Sequence, residues 1–94
     1  MPSSVEFEYH SFWSDLTQTI RFSARHRDRR IRCGVTRTAL EDRAGALQPL
    51  RPADLERVFE QHRQQIERIV ADKILARRFQ ADGTIPIRAV DLGP

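Results

Sequence analysis

Polar and apolar positions first alternate with a period of two, and this predicts strands. Val5, Phe7 and Tyr9 alternate with Glu6, Glu8 and His10, the pattern of a strand with one buried face. The stretch SFWSDL breaks the alternation and reads as a connection, with Phe12 and Trp13 folding back onto the core. Ile20, Phe22 and Ala24 then alternate with Arg21, Ser23 and Arg25, and Ile31, Cys33 and Val35 with Arg30, Arg32 and Gly34. A hairpin looping over His26 to Arg29 sets Ala24 opposite Ile31, Phe22 opposite Cys33 and Ile20 opposite Val35. That register puts all six apolar residues on one face, and a slip of one residue would destroy it. The loop lacks the Asn-Gly or Asp-Gly of the tightest hairpins, so its length stays open.

The period then lengthens to that of a helix. Thr38 and Glu41 have the spacing of a capping box, Thr36 is a competing N-cap, and Gly45 can close a short helix. Pro52 suits a first helical position, and a long helix is expected over roughly 53–79. Its stripe comprises Leu55, Val58, Phe59, His62, Ile66, Ile69, Val70 and Lys73. Arg63–Glu67 and Arg68–Asp72 would lace its exposed side. After Gly83, Ile85 and Ile87 define a last strand, which Pro86 confines to an edge or a bulge. The expected fold is α+β, in the order β-β-β-α-α-β. An antiparallel sheet of three to four strands carries the long helix on one face, with a second, short helix beside it. The 94 residues form a single domain, 1–94, with a core over about 4–92.

The order and spacing of several stretches are similar to a small bacterial family known as domain of unknown function fourteen eighty-eight. These are IRF before the hairpin, IRCGV after it, AL in the short helix, FEQHRQQIERI in the long helix and DGTIPIRAVDL at the end. The resemblance implies a compact α+β domain and brings no catalytic or binding residues with it. The loop RHRDRR departs from the glycine-containing turn expected there and is far more basic.

Charge sharpens the picture at that loop. The net charge of +3 divides into −3 over residues 1–20, +6 over residues 21–37 and zero over the rest. Fifteen of the sixteen basic residues are arginine, which favours bidentate pairing with carboxylates and phosphates. Arg25, Arg27, Arg29 and Arg30 are therefore candidate nucleic-acid contacts, as a basic ribbon tracking phosphates. The competing reading is structural: Glu6 and Glu8 pair across strands with the hairpin arginines, Arg21 and Arg32 among them. No aromatic residue interleaves with the arginines in sequence to stack bases. A second candidate site lies near the end of the long helix. Ile74 sits beside the main stripe, Leu75 and Phe79 point away from it, and an apolar set left uncovered there would meet a protein partner or a second copy of the chain.

Candidate chemistry is otherwise sparse. Cys33 shares the apolar face with Phe22, which suits a buried thiol better than a nucleophile. A Cys33–His62 dyad would need an open cleft and a third residue that cannot be named. His10, His26, His62 and Cys33 have no metal-ligand spacing, and there is no phosphate-binding loop, GxGxxG or GxSxG. No cofactor, metal or catalytic residue is expected, and no enzyme. A lone cysteine suits a reducing cytoplasm, and no apolar run reaches the roughly 20 residues of a membrane span. The expectation is a non-enzymatic cytoplasmic interaction or regulatory domain. The alternative is a nucleic-acid-binding protein using the hairpin 21–32. A cysteine-dependent enzyme stands third.

Overall fold

The computed structural model describes residues 5–93. Strands β1 (Val5–Ser14), β2 (Thr19–His26) and β3 (Arg29–Thr36) form an antiparallel meander. Helices α1 (Arg37–Ala44), α2 (Pro52–Gln61) and α3 (Arg63–Leu75) follow, then strand β4 (Ile85–Ile87) and a last turn of helix, α4 (Ala89–Leu92). The sheet order is β1-β2-β3-β4. The sheet is mixed and not wholly antiparallel as expected: the three-helix crossover returns the chain in the direction of β3, so β4 joins the antiparallel meander as a parallel edge strand. Pro86 lies opposite Gly34 on that edge, where its missing N–H costs no second ladder.

The β2–β3 register is the one the apolar pattern requires: Ile20 with Val35, Phe22 with Cys33 and Ala24 with Ile31. The turn is tighter than the four-residue loop expected. His26 pairs with Arg29, and Arg27 and Asp28 take φ of 52° and 66°, the left-handed pair of a type I′ turn. No asparagine or glycine announces it.

Strand β1 is longer than its alternation suggested, since SFWSDL extends it to Ser14. Between Phe7, opposite Ala24, and Ser11, opposite Phe22, β1 spends two extra residues in a bulge. An insertion of two preserves the parity of the pleat. Trp13 therefore packs against the core opposite Ile20, while Phe12 lies opposite Arg21 on the other face and is 49% exposed. Tyr9, expected on the buried face, is lifted out by the bulge and is 86% exposed.

Thr36, rather than Thr38, caps α1, its hydroxyl accepting from the Ala39 N–H at 3.1 Å. Glu41 is consequently free of capping. It accepts from the Leu50 N–H at 2.8 Å and from Arg37 at 3.2 Å, tying the α1–α2 connection down. Gly45, at φ 68°, closes the helix in the left-handed region.

The single long helix is two. His62 leaves the helical region at φ −114°, ψ 14°, and α3 starts afresh at Arg63. The 3-4 stripe runs through the break undisturbed, and no proline or glycine marks it. Leu55, Val58, Phe59, Ile66, Val70 and Ile74 are all buried against the sheet. Arg63, at the joint, is clamped to β1 through the Tyr9 carbonyl at 3.1 Å and Ser11 Oγ at 3.3 Å. Its guanidinium also binds Glu60 and Glu67 and lies 4.7 Å from the Phe59 ring centre. Only the Arg63–Glu67 half of the expected lacing forms, and on a side chain just 15% exposed; among the described residues Arg68 and Asp72 form no ion pair. Helix α3 ends at Leu75, four residues short of expectation. Arg77 takes φ 58° there, and the Arg78 N–H closes onto the Lys73 carbonyl at 2.8 Å. This is a Schellman-like stop built without glycine. Lys73, in the stripe, reaches Asp91 at 3.0 Å and anchors α4.

The core is one layer between the sheet and the helices. Ile20, Phe22, Ile31, Cys33, Val35, Ile85 and Ile87 face Leu40, Leu55, Phe59, Ile66 and Val70. The opposite sheet face carries no helix. It is therefore the face that Arg25, Arg30 and Arg32 present to solvent.

Candidate functional site

The four arginines singled out in the hairpin divide into two sets. Arg25 and Arg30 lie side by side on the open sheet face, cross-strand neighbours in the β2–β3 ladder. Like charges there require a counter-ion, and Glu8 supplies it, 3.0 Å from Arg30 Nε and 3.9 Å from Arg25 Nε. The pairing expected of Glu6 and Glu8 with Arg21 and Arg32 does not form; of the two carboxylates only Glu8 makes an ion pair among the described residues, and it does so with other arginines. The bulge brings Glu8 to Arg25 and Arg30 and not to Arg21 or Arg32, neither of which has a carboxylate within 4 Å among the described residues.

Arg27 and Arg29 lie at the tip, where the tight turn swings them over the end of α3. There they meet the other candidate set. His26, Arg27, Arg29, Ile74, Leu75, Arg77 and Phe79 line one cleft of about 590 Å³. Ile74, expected in the uncovered set, is instead 2% exposed and part of the core, so it only underlies the cleft; Leu75 is 55% exposed on its wall and Phe79 packs partly against the core. Arg29 holds its guanidinium 6.0 Å from the Phe79 ring centre. Arg27, Arg29 and Arg77 make no ion pair among the described residues. Two candidate sites that stand apart in the sequence are thus a single surface, apolar at its base and cationic at its rim. Arg77 was not anticipated. Only the left-handed stop of α3 turns it toward the cleft, and a glycine-free stop leaves no signal in the sequence.

A second feature was also missed. No aromatic interleaves with the arginines along the chain, yet the bulge places Phe12 beside Arg21 on the open face, with the His10 ring 6.1 Å from it. Phe12, Arg21, Ser23, Arg30 and Arg32 line a shallow basin of about 360 Å³. The signal is non-local: it appears only when β1 and β2 are aligned through the bulge.

Cys33 is 2% exposed, and burial pushes its thiol up to about 12 despite a backbone hydrogen bond at Ala24. His62 sits at the α2–α3 joint among Glu60, Gln61, Arg63 and Gln64, while Cys33 lies in the sheet. Among the described residues no group of three or more His, Cys, Asp or Glu side chains is placed to hold a metal ion. No helix among them is long and apolar enough to cross a membrane.

Comparison with known proteins agrees with this architecture. A crystal structure of a protein of unknown function from the DUF1488 family of Shewanella loihica PV-4 superposes with a TM-score of 0.83. The two chains are 25% identical, and the match covers 93% of this chain and 94% of that one. No curated protein matches the chain significantly. The family described as Protein of unknown function (DUF1488) matches residues 5–87, from the first strand through the last. That span takes in the meander, the helical crossover and the parallel edge strand, and the chain belongs to the DUF1488 family.

Proposed function

We propose that the protein is a small, non-enzymatic bacterial interaction domain of the cytoplasm, and that the hairpin-tip cleft is where it docks a protein partner. The observation that carries this reading is the convergence of Arg27, Arg29 and Arg77, all without ion pairs among the described residues, on an apolar base of Ile74, Leu75 and Phe79. Hydrophobic floors rimmed by arginine are the composition of interface hot spots, where an apolar anchor buries and charge complementarity orients it. The matching partner is an acidic segment carrying an apolar side chain. A buried, weakly acidic Cys33 gives a thiol enzyme little to work with, which supports the non-enzymatic reading. A lone cysteine also suits a reducing compartment.

The test is affinity capture from bacterial cells with the intact chain, alongside an R27Q/R29Q variant and a Leu75→Ser variant. A defined protein partner should be retained by the intact chain, and its retention should fall about tenfold or more for each variant, with all three chains equally folded. Retention of the same partners by both variants would overturn the proposal. Sedimentation at two protein concentrations separates the case in which that partner is a second copy.

A further inference from the structure

The uncovered sheet face is a different surface with a different chemistry. Arg21 and Arg32 project from it without an ion pair among the described residues, Asp82 lines a neighbouring hollow with Arg21 and feels its charge, and Arg30 is held beside them by Glu8. Between them lies Ser23, opposite Arg32 in the ladder and only 8% exposed. Its hydroxyl makes no hydrogen bond to any described residue. No fully buried side-chain oxygen or nitrogen among them lacks a partner, so this hydroxyl opens into the basin and not into the core. Guanidinium groups converging on a recessed hydroxyl donor form a receptor for a phosphate. A free anion would need nothing more, yet the wall of this basin is Phe12, half-exposed, with His10 against it. An exposed ring one strand away from paired cations is the arrangement that stacks a base while its phosphate is held. The basin lies on a sheet face that no helix covers, which leaves room for a chain to pass across it. In a duplex the bases are stacked on each other and offer Phe12 no face.

We propose that the open face of the sheet binds single-stranded nucleic acid, with a phosphate over Ser23 between Arg21 and Arg32 and a base on Phe12. This site does not use Arg27 or Arg29, so it stands apart from the hairpin-tip cleft.

The experiment is fluorescence anisotropy with a labelled single-stranded oligothymidylate about twelve residues long, a length that spans one such site, titrated across a range of salt. The intact chain is expected to bind with salt-dependent affinity. R21Q/R32Q should weaken binding at least tenfold and flatten the logarithmic salt slope by about 0.7 for each phosphate no longer neutralised. Phe12→Ala should weaken binding by about tenfold with the slope unchanged, because stacking releases no counter-ions. R27Q/R29Q should bind as the intact chain does. If R21Q/R32Q does not fold, Phe12→Ala, at an exposed position, carries the test alone. The proposal is overturned if the intact chain shows no salt-dependent binding at low salt, or if the loss falls on R27Q/R29Q in place of the sheet variants. It is equally overturned if thymidine monophosphate competes as well as the oligomer, which would make the ligand a free nucleotide.

Discussion

Replacing Arg27-Asp28 by Asn-Gly should make the protein more stable and its cleft weaker. Both residues hold positive φ, 52° and 66°, in the two central positions of the β2–β3 turn. The left-handed region costs an ordinary side chain about 1–2 kcal/mol, and less for aspartate, whose short polar side chain tolerates it. Asparagine at the first position and glycine at the second relieve most of that strain. Glycine returns about 0.4–1 kcal/mol as extra freedom of the unfolded chain. The net gain expected for the double variant is about 1 kcal/mol, or a rise of about 4–8 °C in Tm for a domain this size. Urea and thermal denaturation measure it, with an unchanged m-value showing that the same surface is buried. Arg27→Pro is the opposing control, since proline fixes φ near −65° and should destabilise the same position. Unchanged or lower stability with Asn-Gly would refute this, because the turn would then not be the left-handed pair. The substitution also removes a cation from the cleft. A more stable chain that binds its partner less well would show that the strained turn is retained for Arg27.

Cys33 should react with a soluble thiol reagent slowly in the folded protein and rapidly in urea, since burial both shields the sulfur and pushes its ionisation up to about 12. Rapid labelling of the native state would contradict the packing described. Arg63→Met should cost about 2–3 kcal/mol in urea denaturation, because it leaves the Tyr9 carbonyl, Ser11, Glu60 and Glu67 without their shared donor. A loss near zero would mean that the joint between α2 and α3 does not depend on it. Burial alone would raise the Asp91 carboxyl, but the Arg88 backbone N–H and the Lys73 ammonium outweigh it and hold it below the usual carboxylate range. The stability it contributes is therefore present above the unfolded carboxylate pKa and lost as pH falls through the lower folded one. Asp91→Asn should melt earlier than the intact chain at neutral pH and alike in strong acid; an equal gap at both would refute that linkage.

The sheet was largely legible in the sequence because its rule is local. A period of two with one buried face fixes the β2–β3 register, and Pro86 marks an edge. The helical stripe was legible too, but not its break or its end. His62 and Arg77 leave helical geometry without glycine or proline, and the stripe before and after His62 keeps the same phase, so periodicity carries no trace of either. The candidate surfaces were legible as residues and not as sites. Arg27, Arg29, Ile74, Leu75 and Phe79 all stood out in sequence, yet only the tight turn and the left-handed stop of α3 bring them together. Sequence alone sends Phe12 to the core, because a two-residue bulge in β1 cannot be read from alternation that simply pauses. The same bulge redirects Glu8 toward Arg25 and Arg30.

The most direct measurement of the docking role is photo-crosslinking in bacterial cells from a benzophenone side chain placed at position 75, half-exposed on the cleft wall. Position 47, whose leucine is 99% exposed in the α1–α2 connection and outside the cleft, is the matched control. A docking cleft predicts a discrete adduct with a protein partner from position 75, absent from position 47 and abolished by Arg29→Glu. No adduct from position 75, or the same adducts from both positions, would contradict it.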